Sequence, residues 1–422
     1  MADFYVDNVN GASGNSGASE LLPKQLLSQA SFSANNRVFC KREQTHPVST
    51  YRFLQSGMTL TAYGTGRKPV IQKTAGNDAW IYVQNASKIS LSDFDADGNG
   101  FNGSVISLSA STGHSISAVT VKNVEVYGAP NNVGLILQGN SGGAVRIRIE
   151  IVDCRFRNNF SHGTQCATDV QGVVYRRCIA RRNGTGVGAH GFTAYSASGT
   201  APTGIRWVHC EATGTIDFDG IEGTGIQADD NTSNCVAIGC FVHDNQGAGI
   251  SFNGSTGHSM VGCLSVRNRK AGLYLSNSAT NCKAYHNTIT GNCLGGVFTG
   301  EVVSNTNSTG FTSKNNIILN SGAVSNGIAL SAGSASGSTS ESDCIYGFST
   351  ATQNITATST ITSDPLLDAS WRLKTGSPCI GVGARAAGAR HMGGLRPRMP
   401  ADVGAYRYAP SRSMSIARPF AS

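Results

Sequence analysis

The chain has 422 residues, a formal net charge of +8, 14% charged residues, 52 glycines and 11 prolines. Its Lys and Arg residues form no tract of five or more, and no apolar run approaches the roughly 18 residues of a membrane span, so the sequence points to neither a nucleic-acid module nor a membrane-crossing helix. Abundant Gly, Ser, Thr and Asn, with one short stretch of helix formers at 21–30, exclude a helical protein and describe a chain that turns every few residues.

In chain order, Met1-Ala-Asp-Phe-Tyr-Val-Asp7 shows neither a basic n-region nor an apolar h-region, which reads as synthesis in a cytosol, with a secreted protein as the alternative. Residues 1–75 are expected to form an N-terminal cap and lead-in, 76–345 a repetitive body, and 346–422 a closing segment. In the body, Phe94, Val124, Cys154, Cys178, Cys210, Cys240, Cys263, Asn287 and Asn315 align in one column at steps of 23 to 32 residues. Apolar residues recur two positions after this column and three before it, which reads as strand, bend, strand. A repeat of this length marks a solenoid. The expected fold is all-β, a single-stranded right-handed parallel β-helix of about ten to twelve coils.

Five residues after the column stand Asn99, Ala129, Asn159, Asn183, Thr215, Asn245, Asn268, Asn292 and Asn320. A stacked Asn satisfies the backbone groups of an inward bend while bonding the Asn of the next coil, so Asn159, Asn183, Asn245, Asn268, Asn292 and Asn320 are expected to form one buried ladder. The register also accounts for Cys154, Cys178, Cys210, Cys240 and Cys263 as stacked apolar fillers. The twelve cysteines contain no Cys-x-x-Cys pair and match no zinc spacing, so buried thiols are expected rather than disulfides or a metal site.

The register places Asp93, Asn123, Asp153, Arg177, His209 and His286 outward just before the column, Asp95, Glu125, Arg155 and Glu211 just after it, and Asp97, Tyr127, Arg157, Arg181 and His243 three after it. Such a face is either a solvated strand surface with weak cross-rung ion pairs or a bed for a saccharide chain held by arginine forks. Two insertions follow, 185–201 with His190 and 213–231 with Asp217, Asp219, Glu222, Asp229 and Asp230. Loops added to a rigid scaffold concentrate function, and these carboxylates could supply the acid and base of a glycosidase or a calcium site for a lyase, or merely serve as turn residues. The candidate catalytic residues are Asp217, Asp219 and Glu222, with His209 and Glu211 on the face of the same coil. Arg155, Arg157, Arg177, Arg181, Asp229 and Asp230 are the candidate substrate-binding residues. Asp93-Phe-Asp-Ala-Asp-Gly98 looks like the start of a calcium loop, but Ser104 stands where its last ligand belongs and Phe94 and Ala96 fit as inward strand residues. No metal and no cofactor is assigned.

Phe4-Tyr-Val-Asp-Asn-Val-Asn-Gly11, Leu60-Thr-Ala-Tyr-Gly-Thr-Gly-Arg-Lys-Pro-Val-Ile71, Gly225-Ile-Gln-Ala-Asp-Asp-Asn-Thr-Ser-Asn-Cys235 and Val242-His-Asp-Asn-Gln-Gly-Ala-Gly-Ile250 are similar to segments of the pectate-lyase-like superfamily of right-handed β-helices. Asp364-Pro-Leu-Leu, Trp371-Arg-Leu-Lys-Thr-Gly-Ser-Pro-Cys-Ile380 and Asp402-Val-Gly-Ala-Tyr406 resemble its C-terminal closure. The resemblance implies a fold that carries lyases, hydrolases, epimerases and non-catalytic binders. Where many relatives place an acid after Gly-Ile, this chain has Gln227. A second resemblance, to bacteriophage tailspikes, implies a virion-associated homotrimer, made in the host cytoplasm, that binds and, if enzymatic, depolymerises host surface polysaccharide. The alternatives are a structural virion protein touching neighbouring virion proteins, such as a capsid decoration or head spike, and a cellular polysaccharide lyase. No nucleic-acid or membrane partner is implied.

Overall fold

The computed structural model describes residues 1–407 apart from 50–51, 77–78, 80, 140–143, 146–147, 187, 197–198, 218–221, 306, 321, 323, 387–390 and 393–400. Among the described residues, helix is confined to two 3-10 turns, Leu27–Gln29 and Ala332–Ser334. The remainder is a right-handed parallel β-helix of about 11 turns. It divides into two compact units, residues 1–206 with 212–233 and residues 207–211 with 234–422.

One coil of the first unit shows the plan. Ile89–Ser92 lies in a first sheet, Asp95–Asp97 in a second and Ile106–Ala110 in a third. Val119–Lys122, Glu125–Tyr127 and Leu135–Gly139 then pair with them in parallel, Val119 opposite Ile89, Glu125 opposite Asp95 and Leu135 opposite Ile106. Stacking begins at Asp3–Val6, which pairs with Arg37–Lys41. The second unit repeats the plan, with Val236–Ile238, Phe241–His243 and Ile250–Asn253 as the strands of one coil.

Two sharp bends separate the three strands, and each is made in the same way. The residue before the column takes the left-handed conformation, as in Asp93 (φ 62°), Asn123 (φ 53°), Asp153 (φ 55°), Arg177 (φ 53°), His209 (φ 53°) and His286 (φ 54°). The residue before the asparagine position does so too, as in Asn158 (φ 53°), Arg182 (φ 51°), Asp244 (φ 54°) and Arg267 (φ 55°). Asn, Asp and His tolerate this region best because their short polar groups bond locally. Each bend turns the following side chain into the core, where a backbone polar group must find a partner.

The column residues supply that partner. The Cys154 thiol donates to the Val121 carbonyl at 3.4 Å, Cys178 to Ile151 at 3.2 Å, Cys240 to Trp207 at 3.2 Å and Cys263 to Ala237 at 3.4 Å. Asn287 Nδ2 donates to the equivalent Met260 carbonyl at 3.0 Å, so thiol and amide perform one task. All twelve cysteines are buried. At the second bend Asn159 donates through N and Nδ2 to Asn183 Oδ1 at 3.2 and 3.0 Å. In the second unit Asn245 donates likewise to Asn268, at 3.2 and 2.9 Å, and Asn268 to Asn292, at 3.0 and 2.8 Å.

The expected ladder is corrected at its C-terminal end. Asn320 is only partly buried and bonds the Val324 and Gly347 carbonyls instead. The step after Asn287 is one residue longer than the sequence alignment assumed: Thr288 pairs with Ile317, so Asn316 is the column residue and Asn315 holds the left-handed position (φ 57°). The two columns then end on carboxylates. Asn292 donates through N and Nδ2 to Glu301 at 3.0 and 2.6 Å, and Asn316 to Asp343 Oδ1 at 2.7 and 3.0 Å.

A second correction concerns the outward face of the second sheet in the second unit. His286 is buried, its Nδ1–H donating to the Asp402 carbonyl at 3.0 Å and its ring contacting His391 at 4.9 Å between ring centres. Leu373, Cys379 and Val403 pack on Ile317 and Cys344, and the Ala405 N–H donates to Thr288 Oγ1 at 3.1 Å. The closing segment therefore lies on this face and packs on the outward Ile317 and Cys344, because these positions are apolar.

Candidate functional site

In the first unit, the four candidate arginines differ in what they already hold. Arg157 is paired with Glu125 and lies over the Tyr127 ring at 4.2 Å. Arg177 grips Asp153 through Nε and Nη2 at 2.6 and 2.9 Å, a bond between left-handed positions of successive coils. Arg155 and Arg181 are exposed and have no carboxylate partner among the described residues. Register places Arg155 opposite both Glu125 and Ile179, but Glu125 is taken by Arg157.

The described acids of the insertion differ in how far they are closed off. Asp217 is 1% exposed and accepts backbone N–H bonds from Gly188 at 2.9 Å and Glu222 at 2.6 Å, which makes it a loop anchor. Asp219 lies outside the described residues. Glu222 is half-buried. Asp229 accepts Gln227 Nε2 at 2.9 Å and the Asp230 N–H at 2.8 Å, and burial, then the Asp229 charge, raises the Asp230 carboxyl. His190 stacks on His162 at 5.1 Å with its N–H directed at His162 Nδ1, and burial drives His162 well below the usual histidine range.

In the second unit the structure assembles a constellation around Glu211. His243, outward on the strand Phe241–His243, directs Nε2 at Glu211 Oε1 (3.1 Å) and Nδ1 at Asp244 Oδ2 (2.5 Å). Asp244 is in turn gripped by Arg267 through Nε and Nη2, both at 2.8 Å, which holds its carboxyl below the ordinary range. The result is a continuous polar line, Glu211, His243, Asp244, Arg267, in which the far guanidinium fixes the near imidazole. His209 is half-buried with its ring over Gly239; a Cβ at Gly239 would lie 2.5 Å from His209 Nδ1, so a side chain there would push the His209 ring aside.

Aromatic rings border the line. Phe241 stacks on His243 at 3.9 Å between ring centres, Trp371 of the closing segment stands 6.2 Å from Phe241, and the Arg267 guanidinium lies over Trp371 at 5.8 Å. Of this group the sequence reading singled out Glu211 and His209 and placed His243 outward, but it missed Phe241, Asp244, Arg267 and Trp371. A signal for two of them existed: opposite charges at the same left-handed position of successive coils, Asp244 and Arg267, repeat the Asp153 and Arg177 pattern. Trp371 had none, since its contact joins residues far apart in the chain. Among the described residues no group of three or more His, Cys, Asp or Glu side chains is placed to hold a metal ion.

Residues 104–301 match the family model of a right handed beta helix region. Among solved structures, the chain is similar to the A-module of mannuronan C-5 epimerase AlgE4 from Azotobacter vinelandii, with 16% identity and a TM-score of 0.55 over 78% of this chain and 91% of that one. It is similar to pectate lyase Pel9A, with 16% identity and a TM-score of 0.50 over 97% of each chain. The AlgE6 A-module of the same bacterium gives 17% identity and a TM-score of 0.50, covering 78% of this chain and 91% of that one. At these identities the likeness is one of fold. No curated protein sequence matches.

Proposed function

We propose that this right-handed, pectate-lyase-like β-helix binds a hydroxyl-rich polysaccharide and cleaves it, with the outer face that carries Glu211 and His243 as the working surface. The observation that carries the proposal is the polar line itself. Arg267 orients Asp244, Asp244 orients His243, and His243 is left to exchange a proton with Glu211, the arrangement general acid and base chemistry needs. Glycosidic cleavage by hydrolysis or elimination needs such a proton carrier at the scissile oxygen or at the carbon that loses its proton. The naming of two fold neighbours as a mannuronan epimerase and a pectate lyase favours a polysaccharide over other ligands. Arg155 and Arg181, in the first unit, keep forks open to hydroxyls. Asp217 is assigned to its loop.

The finer form of the proposal, supported by the tailspike resemblance of the sequence, is a bacteriophage tailspike-type virion protein that works as a homotrimer on host surface polysaccharide. The test incubates the protein with a panel of purified bacterial surface polysaccharides and follows polymer size, bound protein and, by light scattering, the mass of the assembly. Glu211→Gln is expected to lower cleavage by about 100-fold or more while binding persists. Cleavage by Glu211→Gln at the wild-type rate would remove Glu211 from catalysis. A wild type that binds no polysaccharide would leave a structural virion role in its place, and a monomer would end the trimer.

A further inference from the structure

Trp371 is the one ring of the shelf that the β-helix itself does not provide. It comes from the closing segment, in a turn where the Trp371 N–H donates to the Asp368 carbonyl at 3.0 Å and Asp368 Oδ1 accepts the Ser370 and Arg372 N–H groups at 2.8 and 2.9 Å. Trp371 takes φ 58°, a left-handed conformation strained for a bulky side chain. The turn thus holds an unfavourable backbone to keep a partly buried indole 6.2 Å from Phe241, which with His243 remains partly open.

We infer that Trp371, Phe241 and His243 form a stacking subsite for the C–H face of an uncharged pyranose, an inference that rests on the polysaccharide reading and specifies its substrate class. Flat ring faces with a negative quadrupole accept the weakly positive C–H patch of a sugar, and the polar groups at their rim take its hydroxyls. Charge argues for a neutral sugar. Arg267 already spends its fork on Asp244, and Glu211 adds a second acid at the rim, so a sugar carboxylate would meet repulsion beside them. A purely mechanical role for Trp371, pinning the segment, would account for its contacts but not for its standing partly open outside the apolar cluster of Leu373, Cys379 and Val403.

The test uses the full chain with neutral hexasaccharides of glucose, galactose, mannose and rhamnose, and polygalacturonate and heparin as acidic probes. Of the three tryptophans, Trp207 is fully buried, so a sugar-dependent change in indole emission that disappears in Trp371→Phe reports this position. At least one neutral hexasaccharide is expected to bind, with affinity reduced tenfold or more in Trp371→Ala, largely restored in Trp371→Phe, and with the Trp371→Ala melting midpoint close to wild type. Three results would overturn the subsite: wild-type affinity in Trp371→Ala, binding confined to the acidic probes, or a lowered midpoint with no rescue by Phe. Acidic-only binding would leave the polysaccharide reading standing, whereas binding of no saccharide at all would remove both.

Discussion

Asp343 ends the column that runs through Asn287 and Asn316, accepting both amide donors of Asn316 and the Ser340 hydroxyl at 2.6 Å. Burial pushes its carboxyl up to about 6, against the lowering effect of those bonds, and burial likewise pushes Glu301 up to about 7. A carboxyl whose pKa is raised on folding binds its proton more tightly in the native state. Its contribution is therefore present below the unfolded value and is lost as pH rises through the folded one. For Asp343 the window runs from 3.8 to about 6, and for Glu301 from 4.5 to about 7. Asp343→Asn would continue the ladder, keeping an acceptor for Asn316 and adding an amide donor like that of Asn316 itself. Urea unfolding at pH 8 is expected to show the variant more stable than wild type by on the order of 2 kcal/mol, with the gap closing towards pH 4. A constant gap across that range would show that Asp343 does not titrate there. Neither carboxylate was legible in the sequence. Asn315 and Asn316 explain why: the left-handed position and the ladder position both favour asparagine, so two adjacent asparagines hide a one-residue shift in register.

At the level of the bend, the alignment found Asn159, Asn183, Asn245, Asn268 and Asn292 because each bonds a group that no other short side chain reaches as well. Asn268 accepts both donors of Asn245, donates to Asn292 and donates to the Val242 carbonyl at 3.2 Å. Asn268→Ala strips partners from several buried groups at once and is expected to cost at least about 2 kcal/mol in urea unfolding. Asn320→Ala, outside the ladder, is expected to stay within about 0.5 kcal/mol. Equal losses in the two variants would undo the distinction drawn between them. The strand assignments were legible for the same reason as the ladder, since inward positions repeat in every coil. The candidate site was legible only as far as the repeat reaches: Glu211 and His243 follow from register, whereas which carboxylate meets which cation depends on side-chain reach.

Across the chain, the largest feature hidden from the sequence is the fate of the closing segment. Its resemblance motifs marked a closure, but only the packing of Leu373, Cys379 and Val403 on Ile317 and Cys344 shows that it covers a sheet face. Ending the chain at residue 360 would bare Ile317 and Cys344, and an apolar face of this kind drives association. The shortened protein is expected to bind a hydrophobic dye and to melt several degrees lower, and a soluble, dye-free product with an unchanged midpoint would mean that the face is stable without its cover. The ladders carry a kinetic consequence as well. Their bonds join residues 23, 24 and 29 positions apart, one coil at a time. Each new coil closes a loop of nearly the same length and finds its template already ordered, so the entropic barrier is concentrated in the first coil to form. Growth beyond that nucleus resembles the advance of a zip, and a chain emerging from the ribosome can lay down each turn before the next has been synthesised.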